Sequence, residues 1–171
     1  AGGNAPQPES PDTQDVRALQ MLSGNAQLLK IHEQKDGITA KMAAGKKAMF
    51  PVWLSPTQIR IIPVGDKHKE FASGILESLD SRQVRVDIDD RDEPLGKKIR
   101  EAQIEWVPYM VVIGDKEVES GKLAVSVRHP EGESKKDMGI EELAGLVEKE
   151  NAGKPFEKLS LPVALSRRPI I

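Results

Sequence analysis

The spacing of apolar residues changes period several times after residue 50, and each change predicts an element. Residues 59–64 (IRIIPV) form a short apolar run. They predict a strand with Pro63 at its end, because proline has no N–H to give to a central ladder. Residues 67–81 move to helical spacing, with Phe71, Ile75, Leu76 and Leu79 on one stripe and Asp66 placed to cap it. Residues 84–88 alternate, with Val84, Val86 and Ile88 on one face and Arg85 and Asp87 on the other. The turn DDRDEP then leads into a helix over 94–106. Pro94 suits its first turn, and Leu95, Ile99, Ala102 and Trp106 point inward. Residues 107–128 read as a buried strand (109–113), a charged elbow (114–121) and a half-exposed strand (123–127) ending in Arg128 and His129. Residues 129–136 (HPEGESKK) read as a polar loop. Asp137 stands where it can cap a last helix over 138–151, with Ile140, Leu143, Ala144 and Val147 inward, and a proline-punctuated tail is extended.

Strands alternating with helices in the order β-α-β-α-β-β-α predict an α/β domain with a mixed, mainly parallel sheet flanked by three helices and joined by right-handed crossovers. The fourth strand pairs antiparallel with the third across the elbow. Residues 50–171 hold this pattern. Residues 1–14 are Gly-, Pro- and Ser-rich without periodicity and predict a disordered arm. Residues 15–49 carry an imperfect helical stripe and predict a helical connector or the remnant of a neighbouring domain.

Composition narrows the chemistry. The chain is long enough for one domain with a real core. The absence of cysteine excludes disulfides, thiolate metal sites and thiol catalysis. A net charge of −2 provides no bulk attraction to nucleic acid, so any such binding must be local, and 4% aromatic residues argue against a large base-stacking sheet. No apolar run reaches a membrane span and no leader pattern opens the chain, which reads as soluble and cytoplasmic. His32, His68 and His129 lack ligand spacing, so no metal site is expected. Asp87, Asp89, Asp90 and Asp92 read as a strand-end turn with helix capping rather than a magnesium site. Gly65 alone does not make a dinucleotide loop, and no paired nucleophile and base appears. Trp53 and Trp106 read as packing anchors. The elbow GDKEVESGK, with carboxylates and lysines at a sheet rim, is the place left for recognition.

Three segments carry a resemblance: PVWLSPTQIRIIPV (51–64), DDRDEPLGKKIREAQ (89–103) and VPYMVVIGDKEVESGKLAVSVR (107–128). Together they resemble the C-terminal anticodon-binding domain of threonyl-tRNA synthetases, which are class II enzymes. The tail SLPVALSRRPI is similar to the archaeal branch. The resemblance covers roughly 120 residues, from about Phe50 onward. It implies a mixed five-stranded sheet, with a fifth strand to be found between Pro51 and Gln58 or in the tail. It further implies a module that reads the anticodon stem-loop of threonine tRNA beside the catalytic domain of a parent synthetase. The catalytic motifs, zinc ligands and editing domain are absent from these residues. No cofactor is therefore expected on this chain, ATP and zinc belonging to the catalytic domain, and the chain alone is not expected to aminoacylate. A free-standing RNA-binding relative and a protein-interaction or dimerisation module with the same fold are the other readings.

The resemblance also nominates residues. Threonine anticodons carry guanine in the middle and uracil last. A carboxylate accepts both donors on the Watson–Crick edge of guanine, and Glu117 matches the family glutamate that does so. Taken alone, Glu117 is an ordinary turn residue. Asp92 matches a position that is often asparagine in the bacterial branch. It either contacts a base or caps the helix beginning near Pro94. Ser126 falls where the bacterial form has an arginine for the last base, and Arg128, two residues on and on the same face, either replaces it or makes a surface salt bridge. Lys116 and Lys122 flank the elbow as phosphate contacts. Lys97 and Lys98 are further candidates, of which only a subset can face phosphate.

Overall fold

A computed structural model describes residues 49–159 and 161–169. The expected arm at 1–14 and nearly all of the expected connector at 15–49 lie outside the described residues. Four α-helices and five strands occur among the described residues. In chain order they are β1 (Ile59–Pro63), α1 (Lys69–Asp80), β2 (Val86–Ile88), α2 (Leu95–Ile104), β3 (Tyr109–Ile113), α3 (Asp115–Ser120), β4 (Leu123–His129), β5 (Gly132–Met138) and α4 (Ile140–Asn151). The sheet order is β2-β1-β3-β4-β5. β1 runs parallel to both β2 and β3, whereas β4 is antiparallel to β3 and to β5. This is the mixed sheet expected from the pattern.

The alternation along each strand sorts side chains to two covered faces. On one, Ile59, Ile61, Tyr109, Val111, Ile113, Leu123 and Val125 pack with Ala72, Ile75 and Leu79 of α1 and Leu143, Ala144 and Val147 of α4. On the other, Ile62 and Met110 pack with Ala102 of α2, with Val107, and against Leu95 and Ile99. Each fully buried aliphatic side chain in these layers contributes about 1.5–3 kcal/mol. β1 and β3 are covered on both faces, which is why their sequences read as near-continuous apolar runs.

Several local readings need correction. The 129–136 segment is not a loop. His129-Pro130-Glu131-Gly132 is a tight turn and residues 132–138 are β5, the fifth strand, which arises neither from 51–58 nor from the tail. Pro130 suits the second turn position. Gly132 has φ +151°, which side-chain-bearing residues rarely adopt. Asp137 lies in that strand, so the last helix is entered from Gly139 without a side-chain cap. Asp66 does not cap α1 either. It opens a 3-10 turn (Asp66–His68), and its carboxylate pairs with Lys69 at 2.7 Å. Trp106, expected on the buried stripe of α2, sits past its end at φ +58° and is half-buried, with its ring 5.3 Å from that of Phe50.

The tail lies along the free edge of β2 and, rather than staying extended throughout, makes a 3-10 turn at Leu165–Arg167. The Ile88 N–H donates to the Val163 carbonyl at 2.9 Å, and Ile88 and Ala164 form a parallel bridge. Ser166 donates to Asp90 from its amide (2.9 Å) and its hydroxyl (2.5 Å). The opposite edge, β5, presents Lys135 and Lys136 to solvent, a charged edge of the kind that resists strand addition.

Candidate nucleic-acid interface

β1 and β3 end side by side, and both continue through a glycine whose N–H is accepted by the side chain three residues on. After β1, Gly65 N–H donates to His68 Nδ1 at 3.2 Å. After β3, Gly114 N–H donates to Glu117 Oε2 at 2.8 Å. The second bond converts the expected elbow into a helix start, because a glutamate at the third helical position satisfies the amide at the N-cap. Gly121, at φ +67°, closes α3 by donating its N–H to the Glu117 carbonyl at 2.9 Å.

The two loops are latched together. Asp115 Oδ1 lies 2.6 Å from Lys67 Nζ and 3.0 Å from His68 Nε2. Since His68 Nδ1 accepts from Gly65, the proton of the neutral ring is on Nε2, where it is donated to Asp115. The Asp115 carboxyl is held below the ordinary carboxylate range, first by Lys67 and then by His68. Asp115 and His68 thus fix where α3 begins, and so where Glu117 stands.

Glu117 is only 8% exposed. One carboxylate oxygen is committed to Gly114, and among the described residues nothing bonds the other. The result is a carboxylate fixed in orientation with an acceptor to spare. Beside it, on the α2 face of the sheet, α2 stops short. Val112, Ala124 and Ser126 are half-buried and Val64 is 46% exposed, leaving a shallow apolar floor next to α3.

The other nominated residues are distributed unevenly around this floor. Lys116 and Lys122 are exposed beside Glu117, with Lys116 Nζ 3.6 Å from Asp137. Ser126 sits on the floor, paired across the strands with Met110 and Lys135. Arg128 turns in under α2 rather than out to solvent. It is 8% exposed and its Nη1 donates to the Gln103 carbonyl of α2 at 3.2 Å. Burial pushes its guanidinium down from its ordinary value, opposed by the charge of Glu133. Lys98 faces inward rather than toward phosphate. It is 4% exposed and its ammonium donates to the Asp89 carbonyl at 3.1 Å. Lys97 remains on the surface but pairs with Glu93 at 2.6 Å.

Asp92 is exposed at the C-terminal end of β2 and does not cap α2, whose N-cap, Pro94, receives no side-chain bond. The neighbouring aspartates have structural partners. Asp87 binds Arg60 and Arg168, Asp89 binds Arg91, and Asp90 binds the tail. No group of three or more acidic or imidazole side chains that could hold a metal occurs among the described residues. Nor is any described helix long and apolar enough to cross a membrane.

Lys135 was missed. In sequence it sits in a stretch without apolar alternation that reads as a loop, and only the Pro130–Gly132 turn signal could have placed it in a hairpin. Its register sets it opposite Ser126 on the same face of the sheet.

Comparison with known proteins identifies the family of the fold. The anticodon binding domain family matches residues 58–150, more than half of the chain. A threonine–tRNA ligase of Methanosarcina mazei is 51% identical over 128 residues, covering 73% of this chain and 20% of the relative. One from Methanosarcina barkeri is 54% identical over 129 residues, with the same coverage of 73% and 20%. The chain therefore spans about a fifth of the length of these relatives. Among solved structures, the RNA binding domain of a threonyl-tRNA synthetase from Cryptosporidium parvum superposes with TM-score 0.55 at 27% identity, over 64% of this chain and 26% of that one. A prolyl-tRNA synthetase of the same organism gives 0.54 at 26% identity, over 61% and 23%. The chain belongs to the anticodon binding domain family.

Proposed function

We propose that this chain recognises the anticodon stem-loop of threonine tRNA, as the anticodon-reading module of a threonine–tRNA ligase that works in the cytoplasm. Attachment of threonine, with its need for ATP and zinc, belongs to a catalytic domain with which this module acts. The reading is supported by relatives that are about half identical and carry that activity in their name. The single observation that carries the mechanism is the oriented carboxylate of Glu117, with one oxygen tied to Gly114 and the other open.

In this reading the middle guanine is turned out of the loop and laid on the floor of Val112 and Ala124. Its ring N–H and amino group both donate to Glu117. Adenine and the pyrimidines do not offer that pair of adjacent donors, so the carboxylate selects guanine. The bond to Gly114 holds the acceptor in place before RNA arrives, and less order has to be created on binding. Lys116 and Lys122 steady the neighbouring phosphates without adding sequence information. Asp92, exposed at the adjacent strand end, can accept from a base but cannot donate.

Glu117→Gln is the decisive substitution. Its amide oxygen can still accept from Gly114 and keep α3 intact, while its amino group opposes the guanine donors. Affinity for a threonine anticodon stem-loop is expected to fall roughly tenfold to a hundredfold, matching the ~1–3 kcal/mol of a mismatched base contact. Thermal unfolding should be unchanged. Equal affinity of the wild-type chain and Glu117→Gln would remove Glu117 from the readout.

A further inference from the structure

Across the α2 face of the sheet runs a row set by strand register, Asp87–Arg60–Met110–Ser126–Lys135. Its first members are sealed, with Arg60 and Met110 at 0% and 2% exposure. Ser126 is half-buried and Lys135 exposed, so the cover of α2 ends between Met110 and Lys135. On β5 the two same-face neighbours of Lys135 are occupied. Glu133 accepts from Gln103 Nε2 at 3.0 and 3.1 Å, and Asp137 lies 3.6 Å from Lys116. Lys135, between them, has no acidic partner among the described residues. An ammonium without an acidic partner among the described residues and a hydroxyl stand side by side at the lip of the apolar floor, one same-face step of about 7 Å from the Asp137 that Lys116 of α3 reaches.

We infer that Lys135 and Ser126 together read the last base of the anticodon, selecting a keto oxygen over an exocyclic amine. This rests on the anticodon reading above. An ammonium only donates, whereas a serine hydroxyl donates or accepts. Uracil offers O4 to the ammonium and its N3–H to the hydroxyl. Cytosine turns an amino donor toward Lys135, donor against donor. Arg128, buried under α2, leaves this position to Lys135. The residue is specificity-determining because its contact is with the base edge, not only with phosphate.

The test is a set of binding titrations at one fixed salt concentration, using the whole 171-residue chain. Three stem-loops are needed: the threonine anticodon, the same with its last uracil changed to cytosine, and the same with its middle guanine changed to adenine. The wild-type chain should prefer uracil over cytosine by about tenfold or more, in line with one good base contact. Lys135→Met should lose that preference, binding the first two RNAs alike, while still rejecting the third. Lys135→Arg, which keeps the donors, should keep the preference. A Lys135→Met chain that loses the same factor on all three RNAs makes Lys135 a phosphate contact and overturns the inference, as does one that still prefers uracil. If the wild-type chain distinguishes none of the three, the anticodon reading itself fails. If only the guanine change is tolerated, the reading through Glu117 fails and that through Lys135 stands.

Discussion

At the scale of single residues, the least expected feature is a charged cluster inside the sheet. Arg60 is fully buried on β1, and its Nε and Nη2 bind the two oxygens of Asp87 at 2.8 and 2.9 Å. Burial alone would lower the Arg60 pKa, but Asp87 and Glu105 outweigh it and hold the guanidinium charged. Asp87 also accepts from Thr57 and Arg168 at 2.8 and 2.9 Å, so one carboxylate joins the entry to β1, the sheet and the tail. Removing one partner of a buried pair strands the other in a medium that cannot solvate it. Asp87→Ala is therefore expected to cost about 3–5 kcal/mol, seen as a lower urea midpoint. Adding Arg60→Met should recover part of the loss, since the stranded charge is gone. A single mutant as stable as wild type would show that Glu105 alone suffices for Arg60.

At the scale of elements, what the sequence revealed followed from how each element is buried. β1 and β3 are covered on both faces, and α1, α2 and α4 carry one apolar stripe each, so their period predicted them, while the caps expected from Asp66 and Asp137 did not form. β5 was not legible because one of its faces is open and its residues 133–137 are Glu, Ser, Lys, Lys and Asp. Its pairing partner, not its own pattern, makes it a strand. α3 was hidden for a different reason. A helix of six residues has no stripe to read, and the bond that starts it comes from Glu117, the residue already assigned to recognition. The tail was legible only as extended; that it seals the β2 edge depends on Asp90. Burial pushes the Asp90 carboxyl up, but the Ser166 hydroxyl and amide, its own backbone and the charge of Lys69 bring it below its ordinary value near 3.8. A carboxyl depressed in the folded state stabilises it above the ordinary value and loses that contribution as pH falls through the depressed one. Tail docking should therefore be intact at pH 5 and weaken below about pH 4. Hydrogen exchange should show it, with the Ser166 amide losing protection while that of Val111 keeps it. Asp90→Asn should remove this acid sensitivity, and a tail that loosens equally in that variant would place the titrating group elsewhere.

At the scale of the whole molecule, charge is arranged rather than accumulated. A net charge of −2 gives no long-range pull on RNA. Many cations are already engaged: Arg60, Arg91 and Lys97 in ion pairs and Lys98 on a backbone carbonyl. Lys116 on α3, Lys122 between α3 and β4, and Lys135 on β5 are exposed around the Glu117 floor, whereas Lys67 is paired with Asp115. On the proposed function, such a surface favours RNA that also satisfies the base contacts, because phosphate attraction alone would be too weak to hold a wrong loop. The salt dependence of binding measures this directly. Each phosphate neutralised on a single-stranded loop contributes about −0.7 to the slope of log affinity against log salt. Contacts from these three lysines, one of them shared with a base, predict a slope of roughly −1.5 to −2. Lys116→Ala and Lys122→Ala should each flatten it by about 0.7 while leaving the preference for guanine intact. A slope several times steeper would mean that the RNA tracks far more of the surface than the floor beside α3. A slope near zero would leave recognition to Glu117 and its neighbours alone.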